Sequence, residues 1–591
     1  MTPEPSFSFT RKLAGWVNDL RRRESQLALV LSLVIGALVG LVVVAFILLT
    51  GRLAARMYPA GGAGWRRILI PTLGSLVTGY LLYRYFPFAR GSGVPQTKTA
   101  VFIHDGRISF RTVLGKFFCC SASLASGIAL GREGPAVQIG AGLASVIARR
   151  LGLSKDQVKA LIPVGGAAAL AAAFNTPIAA VLFSLEEIMG DLHAPILGSV
   201  VLSSATSWMV LHLVLGDEPL FHVTGYHLVN PVEFAVYAVL GVVGGLGSVW
   251  FVKLLLALRQ RFLDLPTWTT WFQPVAGGLT VGLMGYFHPQ VLGVGYSEVE
   301  KALAGDMVLK VVVILAVLKI IATAVCYASG NAGGIFGPSL FIGAMIGASV
   351  GSVAHLLLPN YTAGPGAYAL VGMGTAFAGI VRTPLTSVIM IFELTRDYTI
   401  IVPLMISNLI AFFISHHFQR QPIYEALARQ DGVHLPTGEH RAQGAQLRVT
   451  TAMRPAAGET LSAESTIADA LGRTGSSALD AWPVADDEGL RGMIQRIELE
   501  RAMSEGRADQ KVVALLREGP SPHRPDSAAL PHVHPDHSLT VALERMGAMR
   551  YNVLPVVSRA NIRHLLGLVT LQDVLKAYGV AENSRIAPSG E

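Results

Sequence analysis

Apolar segments follow one another closely from residue 25 to about residue 418, with short turns such as 58–64 and 358–366 between them. The run from residue 320 to residue 381 contains no Asp, Glu, Lys or Arg. It is far longer than the roughly 20 residues that one membrane helix needs, so several helices must share it. The pattern predicts an all-α polytopic membrane domain.

The apolar segments are uneven in length. Residues 234–252 could cross a bilayer, whereas residues 135–147 and 177–185 are too short and are bounded by Gly or Pro. Short, interrupted segments at membrane depth are tolerated only where they line a cavity or are buried in protein. The segments therefore indicate more than a simple bundle of spanning helices.

Four short markers recur in the same order in the two halves of this region. They are Gly134-Pro135, Ile139-Gly140, Thr176-Pro177 and Glu186 in the first half, and Gly337-Pro338, Ile342-Gly343, Thr383-Pro384 and Glu393 in the second. Paired segments broken by Gly or Pro favour a transporter-like site at the repeat interface near the bilayer midplane. The alternative is chance similarity among helices rich in small residues.

A different composition begins after residue 420. Residues 431–591 are rich in charge, Ser and Pro, and contain no run able to span a membrane. Two halves of this tail resemble each other, with Trp482-Pro483-Val484 and Gly492-Met493-Ile494 in one and Leu554-Pro555-Val556 and Gly567-Leu568-Val569 in the other. Each half predicts a strand, a turn, a strand and a helix, so we expect a soluble α/β unit.

The overall composition supports a membrane protein. Of 591 residues, 52% are hydrophobic and only 15% are charged, which is too apolar for a soluble multidomain enzyme. The net charge of +8 is not organised in a basic stripe with interleaved aromatic residues, so we expect no nucleic-acid partner. Neither a nucleophile–base constellation nor a metal motif supports an enzyme.

The N-terminal segment 1–24 carries five basic residues against three acidic ones. Since Lys and Arg concentrate on the cytoplasmic side, the N-terminus is expected there. The first apolar stretch, 26–50, is longer than a signal-peptide core and lacks a small-residue cleavage site, so it should remain a membrane helix. The three cysteines, Cys119, Cys120 and Cys326, lie in apolar segments, which favours packing over a disulfide or a metal site.

Three glycine-rich segments that end in proline could bind an anion. They are residues 91–95 (GSGVP), 131–135 (GREGP) and 334–338 (GIFGP). Pro is favoured where a helix begins, and a helix N-terminus offers backbone N–H groups and partial positive charge. Such partial charges suit transport better than a fixed Lys or Arg, because conduction requires weak binding.

These three segments, in this order, resemble the signature segments of the CLC family of chloride channels and transporters. A fourth element, Tyr424, stands where that family places a tyrosine hydroxyl against the bound anion. Over residues 25–430 the resemblance implies about eighteen helical segments in two inverted repeats. It also implies a homodimer in a lipid bilayer, with a separate pathway in each subunit.

The resemblance implies a role for each matching residue. Ser92 and Tyr424 would donate hydroxyl hydrogen bonds to a central chloride, and Ile335 and Phe336 would donate backbone N–H groups. Glu133 would be the external gate, because its carboxylate can occupy a site built for anions until protonation removes its charge.

One alternative, one departure and one further match accompany these assignments. Glu133 could instead be an N-terminal helix acid that pairs with Arg132. Lys98 replaces an acid seen in some relatives, which leaves the local proton path open. Lys116 matches a basic position of the family and is expected to set the potential without touching the ion.

Glu187 matches the internal proton-accepting glutamate of the family's antiporters. An ionisable group in an apolar setting is functional by default. Its neighbour Glu186, the repeat mate of Glu393, is expected to be structural. The resemblance also favours chloride, because nitrate-accumulating plant relatives tend to have Pro at the position of Ser92 and fluoride exporters of the family lack the usual form of this segment.

The tail resembles a CBS pair, with modules at 447–516 and 531–580. Thr570 and Asp573 match positions that bind the ribose of adenine nucleotides, whereas the first module has Gln495 and Glu498 there. Both nucleotide binding and a purely structural, dimer-supporting role remain open. His532, His534 and His537 could bind a metal, but the loop-like context favours an exposed linker and we predict no metal site.

Chloride/proton antiport is the preferred function, with no cofactor required beyond the transported ions. The alternative is a passive, voltage- or pH-gated chloride channel, and a third possibility makes the CBS pair a sensor on a membrane anchor. We expect a multi-pass protein of a bacterial inner membrane with both termini in the cytoplasm.

Overall fold

The computed structural model describes residues 24–59, 61–192, 196–217, 220–221, 228–396, 398–433, 435, 447–475, 477, 479–517, 531–549 and 551–578. The chain divides into two compact units, Met1–Leu435 and Pro436–Glu591. Residues 1–23 of the predicted N-terminal segment lie outside the described residues.

The described part of the first unit is all-α. Its helices are α1 (Glu24–Met57), α2 (Arg66–Arg84), α3 (Val94–Phe102), α4 (Phe110–Ala125), α5 (Glu133–Arg150), α6 (Lys155–Phe174), α7 (Pro177–Phe183), α8 (Leu197–Leu215), α9 (Glu233–Leu263), α10 (Pro274–Phe287), α11 (Tyr296–Ala304), α12 (Leu309–Ala328), α13 (Phe336–Leu357), α14 (Pro365–Val381), α15 (Pro384–Thr395), α16 (Ile401–Phe418) and α17 (Ile423–Gln430). This set agrees with the expected fold of about eighteen segments.

The described helices differ in length as the apolar pattern predicts. Seven are long and apolar enough to cross a membrane, while α10, α14 and α15 are shorter. Residues 135–147 lie inside α5, which extends beyond the apolar run to end at Arg149 and Arg150. Residues 177–185 comprise α7 (Pro177–Phe183) and the start of the π-helical turn Ser184–Met189 that continues it. Single π turns of this kind are frequent at functional sites.

Backbone packing is repeated in the two halves. A Cβ atom added at Gly140 would overlap the carbonyl oxygen of Gly165, and one added at Gly343 would overlap that of Gly372. Glycine is therefore required where α5 crosses α6 and again where α13 crosses α14. The recurrence of this contact shows that the sequence repeat is structural rather than a chance similarity.

Two repeat-related carboxylates join the halves. Glu393 in α15 accepts hydrogen bonds from the backbone N–H groups of Ile178 (2.9 Å) and Ala179 (2.7 Å), at the start of α7. Glu186, after α7, accepts bonds from the N–H (2.9 Å) and hydroxyl (2.7 Å) of Thr386, at the start of α15. Each carboxylate thus satisfies the free N–H groups of the other's helix. The expected structural role of Glu186 agrees with these contacts.

The described part of the second unit is α/β. It comprises α18 (Val449–Ala452), β1 (Leu461–Ser462), α19 (Ile467–Thr474), β2 (Ala481–Asp486), β3 (Gly489–Gln495), α20 (Arg496–Ser504), α21 (Val512–Arg517), α22 (Leu539–Met549), β4 (Val553–Val557), β5 (Leu565–Thr570) and α23 (Leu571–Ala577). Strands β2 and β3 pair antiparallel and lead into α20, and β4 and β5 pair antiparallel and lead into α23. The predicted repeat of strand, turn, strand and helix is confirmed.

The histidine-containing segment differs from its prediction. Val533 pairs with Val556 of β4, and His534, His537 and His532 are half-buried. The exposed linker expected there is therefore wrong, because the segment adds backbone pairing to the β4–β5 hairpin. Within the described residues no group of three or more His, Cys, Asp or Glu could hold a metal ion. The cysteines Cys119, Cys120 and Cys326 are buried and free.

Candidate functional site

The second and third glycine-rich segments are joined by backbone hydrogen bonds. The N–H of Gly131 donates to the carbonyl of Gly334 at 2.7 Å, and the N–H of Gly334 donates to the carbonyl of Gly131 at 2.7 Å. Helix α5 begins two residues after Gly131, and α13 begins two residues after Gly334. The pairing therefore places the N-termini of two repeat-related helices side by side.

The first glycine-rich segment packs on the same place. Gly91 and Gly93 have φ angles of 87° and 105°, which favour glycine, and the Gln96 side chain accepts the N–H of Gly93 at 2.8 Å. A Cβ atom on Gly134 would lie 2.6 Å from the carbonyl oxygen of Ser92. The structure thus brings all three predicted segments together.

Two buried hydroxyl groups converge there. Ser92 and Tyr424 are fully buried, and within the described residues neither Ser92 Oγ nor Tyr424 OH makes a hydrogen bond. The two hydroxyls lie near each other but do not reach hydrogen-bond geometry. A buried hydroxyl without a partner costs free energy, so such a pair suits a ligand that accepts hydrogen bonds.

The start of α13 supplies further donors. Ile335 and Phe336 are fully buried at this N-terminus, where backbone N–H groups have no intrahelical acceptor. The Phe336 ring packs against Phe377 (4.3 Å between centroids) and Phe174 (4.8 Å). This aromatic packing excludes water, which strengthens hydrogen bonds to a charged ligand.

Glu133 is fully buried at the start of α5. Its Oε2 accepts the N–H of Gly337 at 3.1 Å, and its Oε1 accepts a hydrogen bond from the hydroxyl of Tyr296. Arg132 Nε lies 4.0 Å from Oε1. The alternative, a helix acid paired with Arg132, is therefore at most a secondary contact. The carboxylate instead binds the start of α13.

Glu187 lies in the π-helical turn after α7. Its Oε1 is 2.7 Å from Lys98 Nζ, and both side chains are almost completely buried. Glu425, the residue after Tyr424, lies 3.8 Å from the same ammonium group. Lys98 is therefore the ion-pair partner of Glu187. Lys98 lies in α3, which follows Ser92, and Glu425 lies in α17, which contains Tyr424, so Lys98 links these two helices. The sequence marks Lys98 as a departure from the family, but its local pattern does not predict this ion pair.

Two fully buried lysines hold the loops before α3 and α11. Lys116 Nζ donates to the carbonyls of Ala89 (3.0 Å) and Gly91 (2.5 Å). Lys319 Nζ donates to the carbonyls of Val291 (3.0 Å) and Gly293 (2.6 Å). The spacing between Lys319 and Gly337 equals that between Lys116 and Gly134. The internal repeat could therefore have predicted the role of Lys319. Tyr296 was also missed, since its sequence context offered no signal.

A cavity of about 580 Å³ opens beside Gly91. Four arginines and one acid are among its lining residues: Arg90, Arg107, Arg149, Arg259 and Asp431. This excess of positive charge raises the local concentration of anions near the first segment.

In the second unit, Thr570 and Asp573 bind each other. Thr570 Oγ1 accepts the N–H of Asp573 at 3.1 Å, and Asp573 Oδ2 accepts the N–H (3.2 Å) and the hydroxyl (2.6 Å) of Thr570. Glu498 likewise accepts the N–H of Gln495 at 2.9 Å. Both pairs are capping boxes, which stabilise the starts of α23 and α20 whether or not a nucleotide binds.

Comparison with known proteins is consistent with this architecture. Residues 74–416 match the family model of the voltage gated chloride channel, and residues 527–580 match that of the CBS domain. The H(+)/Cl(-) exchange transporter ClcA of Vibrio campbellii is 32% identical over 366 residues, covering 61% of this chain and 78% of that protein. A putative chloride channel protein, ClcB-like, of Ralstonia nicotianae is 33% identical over 382 residues, covering 63% and 88%.

Solved structures share the fold. A slow cyanobacterial Cl⁻/H⁺ antiporter aligns with a TM-score of 0.63 and 25% identity, covering 68% of this chain and 97% of that one. A eukaryotic CLC transporter aligns with a TM-score of 0.61 over 92% of this chain and 97% of that one. Because its sequence identity is 20%, the similarity to the eukaryotic transporter shows the fold alone.

Replacing Ser92 tests the anion site. Ser92→Ala should weaken chloride binding by about 1.5 to 3 kcal/mol, because it removes a hydrogen-bond donor to a charged ligand. Calorimetric titration of the purified protein with chloride measures this loss. Ser248→Ala is the matched control, since Ser248 is equally buried but donates to the carbonyl of Gly244. Equal chloride affinity in the Ser92 variant and the control would remove Ser92 from the site.

Proposed function

Because this chain belongs to the voltage-gated chloride channel family, we propose that it is a secondary active transporter that exchanges chloride for protons across a membrane. One observation carries this proposal: two buried carboxylates, Glu133 and Glu187, accompany the converging hydroxyls of Ser92 and Tyr424. A passive anion pathway needs no second buried acid. Relatives named as H(+)/Cl(-) exchange transporters support the same choice.

Glu133 is the gate in this proposal. Its carboxylate accepts the N–H of Gly337, one of the donors that the start of α13 would otherwise offer an anion. Protonation removes the charge and weakens that interaction, so the side chain can leave and an anion can take its place. Chloride would then accept hydrogen bonds from Ser92, Tyr424 and the N–H groups of Ile335 and Phe336. Competition for the same donors couples the two ions.

Glu187 is the inner proton acceptor in this proposal. A buried carboxylate is costly as an ion unless a cation compensates it, and the Lys98 ammonium at 2.7 Å does so. When Glu187 takes up a proton, Lys98 keeps a second carboxylate, that of Glu425, at 3.8 Å. The buried charge of Lys98 therefore still has a carboxylate near it when Glu187 is neutral, which allows Glu187 to bind and release protons.

We infer that the protein is a multi-pass homodimer of a bacterial inner membrane, with both termini cytoplasmic. Large apolar side chains are exposed on α8 and α16, including Met209, Leu213, Leu409 and Phe413. Such surfaces suit lipid or a second subunit rather than water. The named relatives are a transporter and a putative channel, so we infer transport rather than enzymatic activity. For the same reason we infer that the membrane unit is not merely an anchor for a CBS sensor.

Glu133→Gln should abolish proton coupling while chloride flux persists, since the amide has the shape of the protonated gate and lacks its charge. Proton uptake driven by a chloride gradient in proteoliposomes measures coupling. Glu298→Gln is the control, because Glu298 pairs with Lys301 on α11. Proton pumping at the wild-type rate in Glu133→Gln would refute the gate assignment.

Glu187→Gln should stop proton flux and leave chloride flux running, with gating by Glu133 intact. The amide keeps a hydrogen-bonding group of the same size beside Lys98 but cannot carry a proton in and out. The same chloride-driven assay separates antiport from passive conduction. Glu186→Gln is the neighbouring control, since Glu186 caps α15. If proton transport survived in Glu187→Gln and failed in Glu186→Gln, the inner acceptor would be Glu186.

We also propose that the CBS pair, at 447–516 and 531–580, binds an adenine nucleotide at Thr570 and Asp573. The proposal rests on the match to the CBS domain over 527–580 and on the carboxylate of Asp573 at the start of α23. A ribose hydroxyl could replace the Thr570 hydroxyl as donor to that carboxylate.

Asp573→Ala should weaken adenine-nucleotide binding by about 1.5 to 3 kcal/mol, because a charged acceptor is lost. Calorimetry on the purified full-length protein measures the affinity. Glu498→Ala removes the matching capping box of the first module and controls for a general loss of helix stability. Absence of binding to the wild-type protein would leave Thr570 and Asp573 with their capping role alone.

A further inference from the structure

The Glu133 carboxylate has one side-chain hydrogen-bond donor in the described structure, the hydroxyl of Tyr296. Glu133 lies at the start of α5 in the first half of the repeat, and Tyr296 is the first residue of α11 in the second half. The contact therefore joins two elements that are distant in sequence. It uses Oε1 of Glu133, whereas Oε2 accepts the N–H of Gly337.

The position of Tyr296 is fixed from several directions. Gly295, its N-cap, has a φ angle of 87°, and a Cβ atom there would lie 2.6 Å from the Phe341 ring. The preceding loop is held by Lys319. The Tyr296 ring packs edge-on against Phe221, with centroids 5.7 Å apart, and Arg132 lies 5.4 Å above it. These contacts hold the hydroxyl in place independently of Glu133.

We propose that Tyr296 is a positioning residue that latches the gate carboxylate in its closed position and sets the proton concentration at which the gate opens. The inference rests on the proposed role of Glu133 as the gate. A phenol donates a stronger hydrogen bond to an ionised carboxylate than to a neutral carboxyl group. The latch therefore holds the charged gate and weakens when the gate is protonated.

The charged and titratable groups around the pair determine the sign of the effect. Arg132, on the same segment as Glu133, lies 4.0 Å from the carboxylate and favours its ionised form. Lys319 of α12 binds the carbonyls before α11, and α13 contributes the uncharged N–H of Gly337. Tyr424 of α17 is a further titratable group that interacts with Glu133. Tyr296 acts in the same direction as Arg132, because its hydrogen bond is stronger to the ionised carboxylate than to the neutral carboxyl group. Loss of the hydroxyl should therefore favour the neutral, open gate.

Tyr296→Phe provides the test, because it removes the hydroxyl and keeps the ring. The midpoint of the dependence of chloride flux on external pH should move up by about one pH unit, a tenfold change in proton affinity, which is the scale of one charge-assisted hydrogen bond. Initial rates of chloride flux from proteoliposomes at a series of external pH values measure the midpoint. Tyr286→Phe is the matched control, since Tyr286 is an exposed tyrosine on α10.

Tyr296→Phe in a Glu133→Gln background separates the latch from a general effect on the fold. In this double variant, the pH dependence of chloride flux should be the same as in Glu133→Gln alone. An unchanged midpoint in Tyr296→Phe alone, or an equal shift in the Glu133→Gln background, would overturn the latch. If Glu133→Gln itself retained gating by external pH, the gate assignment would fail instead.

A second measurement covers the case in which Tyr296→Phe does not fold. Replacement of Tyr296 by 3-fluorotyrosine keeps the size of the side chain and makes the phenol a stronger donor. The latch predicts a midpoint lower than that of the wild type in this protein. A midpoint at or above the wild-type value would contradict it.

Discussion

The reciprocal backbone hydrogen bonds between Gly131 and Gly334 are the constraint on which the site depends. They place the N-termini of α5 and α13 together, so that partial positive charges of two helix ends meet in a buried space. Glycine is required at position 134, in the first turn of α5, because a Cβ atom there would collide with the carbonyl oxygen of Ser92. Without this close approach, the hydroxyls of Ser92 and Tyr424 would not share one site with the N–H groups of α13.

The internal repeat explains why contacts in the membrane unit occur in pairs. Lys116 and Lys319 bind carbonyls of equivalent loops, and Glu186 and Glu393 cap each other's helices. Function depends on where the two halves differ. Glu133 has no acidic counterpart in the second half, where Phe336 occupies the equivalent position. In the proposed function, one half thus supplies a movable charge, and the other supplies the donors that receive it.

The sequence predicted the segments that meet at the candidate site better than it predicted the partners of the two buried acids. The glycine-rich segments, Ser92 and Tyr424 could be found because helix N-termini and glycine spacing are local features of the chain. The Lys98–Glu187 pair and the Tyr296 contact join residues far apart in sequence, so no local pattern encodes them. Asp573 shows that one motif can have two roles, because the residues that suggest a ligand also form a helix-capping box.

The partners of the buried cations show how the site remains weak enough for transport. Lys116 and Lys319 are held by carbonyl oxygens, so their charges contribute to the potential while their ammonium groups stay bound. Lys98 is different, because its principal partner is an ionisable carboxylate whose charge can change. Proton uptake by Glu187 would therefore alter the charge near Tyr424 and the start of α3, whereas the carbonyl groups that hold Lys116 and Lys319 cannot change their charge. In the proposed function, the pairing of Lys98 with Glu187 would thus give proton binding on one side of the site a direct electrostatic effect on the anion.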